Sequence, residues 1–195
     1  MRQGGFFVSD RRHDGGALRE RTYCPQCHAF EPFNFFVVIK NDGGDNMIRK
    51  LEEKDRKEFL RLSKIFYASA AVLHDIPERF HEKAFEEMMR SDIYAEGYLF
   101  EEEGKAAGYA LNAKTYSREA GGMVLWLEEL FILPEYRSRG LGRTYFALME
   151  ERAVKEGFAR IRLEVEEDNV RARALYERLG YIPLAYGQMV KELLR

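Results

Sequence analysis

Three groups of residues in this 195-residue chain have types and spacings that can do chemistry. The first is Arg137-Ser138-Arg139-Gly140-Leu141-Gly142, which follows an apolar run stopped by Pro134 and opens a stretch of helical periodicity. A glycine-rich turn between strand and helix can aim free backbone N–H groups at phosphate oxygens, and glycine lets the backbone approach them closely. The dinucleotide fingerprint is not met, because Tyr145 stands where its third glycine belongs, and no Gly-Lys-Ser/Thr occurs, so NAD and ATP are disfavoured. Taken alone, the glycine pair is equally compatible with a tight turn. The second group is Glu128 and Glu129, two carboxylates inside the apolar run 123–133. Neighbours on a strand point to opposite faces, so at most one of them faces a given pocket. The third is Cys24-Pro25-Gln26-Cys27-His28, which has the spacing of a haem attachment sequence and of half a zinc site. Haem attachment normally follows export, for which there is no signal. A structural zinc needs four ligands, for which His13 and His28 are the nearby candidates, and the chain beyond offers His74 and His81 but no cysteine. No metal is expected.

The elements that must position these groups begin near Met47. Residues 47–52 read as a strand, followed by helices over 55–71 and from Pro77 to Arg90, where Phe80, Ala84 and Met88 recur every fourth residue. Residues 94–102 and 105–114 form two runs around a Glu103-Gly104 turn, and 123–133 is an apolar strand. A helix over 140–156 carries Leu141, Tyr145, Leu148, Met149 and Ala153 on one face and ends at Gly157. The alternation of Ile161, Leu163 and Val165 marks a strand over 160–166, and Asp168 is placed to cap a helix running to Leu179. Residues 181–186 and 188–194 complete the pattern as two strands. The expected fold is α/β (α+β): a mixed sheet of about seven strands flanked by about four helices.

Composition limits the function. Apolar residues make up 46% and charged residues 33%, with 31 Lys plus Arg against 33 Asp plus Glu, as in an ordinary globular protein. A net charge of −2 gives no general field for nucleic acid or an anionic membrane surface. With no apolar run of about 18 residues and no export signal, the expected location is the cytoplasm. The first 46 residues hold both cysteines, six of the 14 Phe and six of the 16 Gly, but little periodicity apart from Phe35 to Ile39, which is long enough for a short strand. The boundary is expected at the turn-rich Asp42-Gly43-Gly44-Asp45-Asn46, giving a leader over 1–46 and a domain over 47–195. Gly43-Gly44-Asp45 can be encoded by a purine-rich stretch like a ribosome-binding site, so Met47 is read as the true start.

The stretch from Trp126 to Gly142 resembles motif A of the GNAT superfamily of N-acetyltransferases: Arg137, two residues, Gly140, one residue, Gly142. Downstream, Asn169, Ala172, Leu175 and Tyr176, followed by Leu179-Gly180-Tyr181, resemble the superfamily's motif B in the right order and spacing. The resemblance covers Met47 to Arg195. It implies a sheet splayed between its fourth and fifth strands, with acetyl-coenzyme A lying in the V. The backbone of Leu130, Phe131 and Ile132 is then expected to pair with the pantetheine arm, and Arg137, Ser138, Arg139, Gly140, Leu141, Gly142 and Arg143 form the pyrophosphate loop. Asn169 is expected to contact the pantetheine arm. Ser138 occupies a place where many members have glycine, so a need for positive φ there would weaken binding.

The resemblance also implies an activity, direct acetylation of a primary amine. An amine of pKa near 10 is protonated at neutral pH, so freeing it costs on the order of 4 kcal/mol unless a base removes the proton. By motif position Glu128 is the expected base, and Tyr176 matches the acid that returns a proton to the leaving thiolate. Tyr176 also shares an apolar stripe with Ala172, Leu175 and Leu179, the pattern of a core tyrosine. The acceptor pocket is expected from the first two helices, which hold His81 and lead through His74 and Asp75, and from a loop over 116–122. The expected acceptor is a small polyamine-like or amino-acid-like amine. No nucleic acid or membrane is expected as partner, and a homodimer is compatible with the sequence. The alternatives are acetylation of a protein amine and, in another class, a non-catalytic acyl-coenzyme A binding module, which would have no use for Glu128 and Tyr176.

Overall fold

The computed structural model describes residues 36–193, except 42, 43, 70, 71 and 73, with side chains from residue 47 onward. The Cys24 to His28 motif lies outside the described residues. The chain forms two compact units, one ending at Leu163 and the other starting at Glu164.

In the first unit the elements are β1 (Phe36–Asn41), β2 (Gly44–Lys50), α1 (Arg56–Tyr67), α2 (Glu78–Arg90), β3 (Ala95–Glu102), β4 (Lys105–Ser117), β5 (Gly122–Ile132), α3 (Leu141–Glu156) and β6 (Arg160–Leu163). The six strands lie in chain order in one sheet, antiparallel throughout except for the parallel pair β5–β6. The parallel step follows from α3, the crossover that a parallel connection needs. The second unit contains α4 (Val170–Arg178).

Apolar spacing explains which helix covers which face. On α1, Phe59, Leu62 and Ser63 are buried, and on α2, His81, Phe85 and Met88; both sets sit at helical i, i+3, i+4 or i+7 spacing. Of these, Phe59, Leu62, Phe85 and Met88 pack with Leu99, Tyr109, Leu111, Phe131 and Leu133 of the sheet side to make one core. Helix α3 buries Leu141, Tyr145, Phe146, Leu148 and Met149, and the Tyr145 ring meets Tyr98 and Phe100 at 6.0 and 5.5 Å. Tyr98 and Phe100 flank Leu99 on β3, so α3 lies on the opposite sheet face from α1 and α2.

Two buried ion pairs tie helices to strands. Arg49 on β2 holds both oxygens of Asp55, at 2.6 and 2.8 Å, and reaches Glu101 at 2.8 Å. Arg152 of α3 is bonded to Glu96 and Tyr98 of β3 and to Glu156 at 2.6 and 2.9 Å.

The structure departs from the expected fold in several places. Among the described residues six strands are present rather than seven: β1 is added in the hairpin β1–β2, while 181–186 and 188–193 form no ladder. Alternation is a local property, whereas a strand also needs an edge to pair with, which a local pattern does not supply. The stretch proposed as a boundary contributes Gly44 to Asn46 to β2. Helix α1 ends at Tyr67 and strand β6 at Leu163, both earlier than their apolar patterns. Asn169, not Asp168, caps α4: its Oδ1 accepts from the Ala172 N–H at 3.1 Å. The expected loop over 116–122 is shorter than its stated bounds: residues 118–121 form the turn, and Ser117 and Gly122 pair as the ends of β4 and β5.

Candidate active site

Strand β5 is the spine of the site. Its parallel ladder with β6 runs from Val124–Arg160 to Leu127–Leu163, and β5 continues to Ile132 with ladder partners on β4 only. The backbone of Leu130 to Ile132 therefore has one strand edge outside the β5–β6 ladder, the geometry that an extended ligand arm can use by strand addition. On the other side the β4–β5 register slips: Leu111 pairs with Glu129 and Asn112 with Leu127. Glu128 is the extra residue of a β-bulge, a device that re-aims side chains next to functional sites.

Beyond Pro134 the chain enters the glycine loop. Arg137 Nε donates to the Ile132 carbonyl at 2.9 Å, tying the loop back to the end of β5. Arg139 reaches Glu102 at 2.5 Å and the Glu135 carbonyl at 2.7 Å, while Arg143 is exposed on the first turn of α3. Ser138 and Gly140 both have positive φ, 64° and 93°. A left-handed residue costs glycine little but a serine roughly 1–2 kcal/mol, so Ser138 carries the strain anticipated from its motif position. Gly140 is the N-cap of α3 and offers no side chain, so the first N–H groups of this helix point out of the turn without a side-chain cap. At Gly142 an added Cβ would come no closer than 3.7 Å to the Ile132 side chain, so its glycine is not demanded by packing. A loop with two left-handed turns, uncapped helix N–H groups and no side chain at 140 or 142 fits a pyrophosphate.

Glu129 sits in a polar cluster on the side of α1 and α2. Its Oε1 accepts from the Tyr67 hydroxyl at 2.7 Å and its Oε2 from the Tyr109 hydroxyl at 2.6 Å. Burial raises the pKa of the carboxyl, and the two phenols and His81 oppose that rise. The same burial, together with the Glu129 charge, raises both tyrosines and keeps them protonated donors. Behind them His81, only 3% exposed, holds Nδ1 2.8 Å from Ser63 Oγ, and its ring meets Tyr67 edge-on at 5.4 Å. Glu128, by contrast, is exposed. The sequence reading missed Ser63, Tyr67 and Tyr109. Ser63 follows Phe59 by four residues and Tyr67 follows Ser63 by four, a spacing that keeps them on one helix face, but nothing in the sequence pairs them with β5.

His74 and Asp75 are exposed, and the Asp75 carboxylate accepts from the N–H of Ile76, a local turn contact. A separate open groove of about 530 Å³, lined in part by Asp55, Glu58, Lys105, Glu135 and Tyr136, includes none of the residues nominated from the sequence. No group of three potential metal ligands occurs among the described residues.

In the second unit, Asn169 and Tyr176 both belong to α4. The Asn169 side chain is engaged in its capping bond. Tyr176 is half-buried, 6.1 Å from the Tyr181 ring, and burial raises its phenol above the ordinary value, so it carries its proton at neutral pH.

Residues 47–181 match the family model described as acetyltransferase (GNAT) family. The chain belongs to this family. It is an N-acetyltransferase, and its glycine loop lies where the sequence motif sets it, between β5 and α3. The chain is 31% identical over 147 residues to the thialysine N-epsilon-acetyltransferase of Bos taurus, covering 69% of this chain and 82% of that protein. It is 28% identical over 146 residues to the Mus musculus protein of the same name, covering 68% and 82%. Among solved structures, a possible acetyltransferase from Clostridium difficile 630 aligns with a TM-score of 0.66 at 18% identity, over 77% of this chain and 99% of that one. The aminoglycoside N-acetyltransferase AAC(6')-Iy, in complex with a bisubstrate analogue, aligns with a TM-score of 0.64 at 18% identity, over 76% and 99%. The family's sheet and its glycine loop are thus both present in this chain.

Proposed function

We propose that this GNAT protein acetylates a primary amine of a small, cationic, polyamine-like or amino-acid-like molecule by direct transfer. The observation that carries the reading is Glu129, a carboxylate held by two phenols against α1 and α2, the helices expected to shape the acceptor side. The names of the mammalian relatives, which place acetylation on the ε-amine of a lysine analogue, support an acceptor of this class. The catalytic domain is read as 47–195.

The bound cosubstrate, acetyl-coenzyme A, supplies the acetyl thioester. The edge of Leu130, Phe131 and Ile132 takes its arm, residues Arg137 to Arg143 its pyrophosphate, and Asn169 contacts the arm as well. Each carboxylate then has its own task. Both Glu129 oxygens already accept a phenol hydrogen bond, which favours the charged form and suits it to hold the positive charge of the acceptor. Glu128, exposed on the bulge, takes the ammonium proton, directly or through water. Tyr176 delivers a proton from its Oη to the leaving sulfur. No acyl-enzyme is invoked, because the only cysteines are Cys24 and Cys27, outside the family match.

The experiment is a thiol-release screen of acetyl transfer to diamines, polyamines, lysine analogues, aminoglycosides and peptides. Turnover confined to small amines with a second charged group is the expected result. Turnover only on peptide N-termini or lysines would replace the reading with protein acetylation, and acetyl-coenzyme A binding without any turnover would make the chain a binding module.

A further inference from the structure

Arg139 stands between the two left-handed residues of the glycine loop, Ser138 and Gly140, and its guanidinium is held by the protein itself. One Nη donates to Glu102 Oε1 at 2.5 Å, the other donates to the Glu135 carbonyl at 2.7 Å, and the group lies 5.5 Å from the Tyr136 ring. Glu102 is the last residue of β3. By strand alternation it shares a sheet face with Tyr98 and Phe100, whose rings meet Tyr145 of α3, the helix that the loop opens. Glu102 is only 5% exposed, and among the described residues Arg139 is its ion-pair partner and its Oε2 has no hydrogen-bond partner. A carboxylate so buried is tolerated where a cation compensates it, so the end of β3 and the loop are tied to each other.

We propose that Glu102 is a positioning residue for the cosubstrate, which acts through Arg139 to hold the glycine loop in the left-handed form that receives the pyrophosphate. The planar fork of an arginine bonds two elements at once in a fixed geometry, which the single ammonium of a lysine does not. Here those elements are the end of β3 and the turn after Pro134, and the strained Ser138 is the residue next to the fork. A loop that must adopt costly dihedrals binds with an affinity reduced by the fraction of time it spends in them, and an anchor that holds it there removes the reduction. Charge alone predicts the opposite sign. A carboxylate near a pyrophosphate repels it, and an arginine released from that carboxylate is free to bind phosphate, so without a positioning role the loss of Glu102 would tighten binding. The proposal rests on the reading of residues 137–143 as the pyrophosphate loop.

Two measurements on the full-length chain test it. In calorimetric titration with coenzyme A, Glu102→Gln is expected to raise Kd about 5-fold to 30-fold, the effect of losing a loop anchor of ordinary strength. In hydrogen exchange of the ligand-free protein, the same variant is expected to speed the amides of 137–143 and to leave those of β4 unchanged, a local response that general loosening of the fold does not give. Arg139→Lys, which keeps the charge and gives up the fork, is expected to reproduce both results. Unchanged or tighter coenzyme A binding in Glu102→Gln, wild-type affinity in Arg139→Lys, or exchange that rises equally in β4 overturns the proposal. Gly142→Val separates the two readings: if it binds coenzyme A as the wild type does, the loop is not the pyrophosphate site and both fall, whereas lost binding there with an unaffected Glu102→Gln removes only the anchor.

Discussion

Glu128 and Glu129 are neighbours in the chain, but the β4–β5 register skips the first and pairs the second with Leu111. The bulge divides two identical side chains between two environments: Glu128 exposed, Glu129 half-buried under two phenols. Two carboxylates held in such different surroundings can take separate roles in one reaction.

That division has a consequence for stability. The folded Glu129 pKa is raised, so the folded state binds this proton more tightly than the unfolded chain does. The contribution is fully present below the unfolded value of roughly 4.3 and is lost as pH rises through the folded value; each tenfold difference in proton affinity between the two states is worth about 1.4 kcal/mol. Glu129→Gln has no such dependence. Urea denaturation from pH 4 to 8 should show wild-type stability falling relative to the variant across this window; parallel curves would mean that Glu129 is not raised.

At Ser138 the expected order of stability is Gly, then Ser, then Val. Glycine relieves the left-handed penalty at φ 64° and gives back part of the gain as unfolded-state entropy, for a net change of up to about 1 kcal/mol. Valine, branched at Cβ, should lose at least about 1 kcal/mol. The midpoint of chemical denaturation measures this directly. If all three proteins unfold at the same denaturant concentration, the loop is not strained at this position.

Gly142 separates folding from cofactor binding. A Cβ there meets nothing closer than 3.7 Å, and alanine favours the helix over glycine by up to about 1 kcal/mol, so Gly142→Ala should fold at least as well as wild type. Gly142→Val should also fold, while its branches would fill the space proposed for the phosphate. Acetyl-coenzyme A should then raise Tm for wild type and Ala but not for Val, because a ligand stabilises only the state that binds it. An undiminished shift in Val would remove this loop from the cofactor site.

The glycine loop and both carboxylates were legible in the sequence because their signals are local. Two glycines, a helix start and a proline stop lie within 17 residues of Trp126, and the apolar alternation of β5 displays its two charges. The bulge was not legible, since it is a mismatch between β4 and β5 that neither strand records alone. The same holds for Tyr67, Tyr109 and Ser63. Each belongs to a stripe packed toward the core, and only tertiary packing brings α1 and β4 together at the carboxylate of β5. The two C-terminal strands failed for the converse reason, as a local pattern was present and pairing was not.

Tyr176 has a core tyrosine's stripe and a family acid's motif position, and one substitution tells them apart. Tyr176→Phe keeps the ring that meets Tyr181 and removes only the hydroxyl. Fold and acetyl-coenzyme A affinity should change little. If the phenol delivers the proton to the leaving sulfur, turnover should fall by about 10²-fold to 10⁴-fold where chemistry limits the rate. Burial holds the phenol above its ordinary pKa, so the wild type should keep its acid in the protonated form across the neutral range and lose no rate there through Tyr176 ionisation. The variant's loss should therefore be the same at pH 7 as at pH 8, measured by single-turnover thiol release. Full turnover in Tyr176→Phe under those conditions would assign the hydroxyl to packing and leave water to protonate the thiolate.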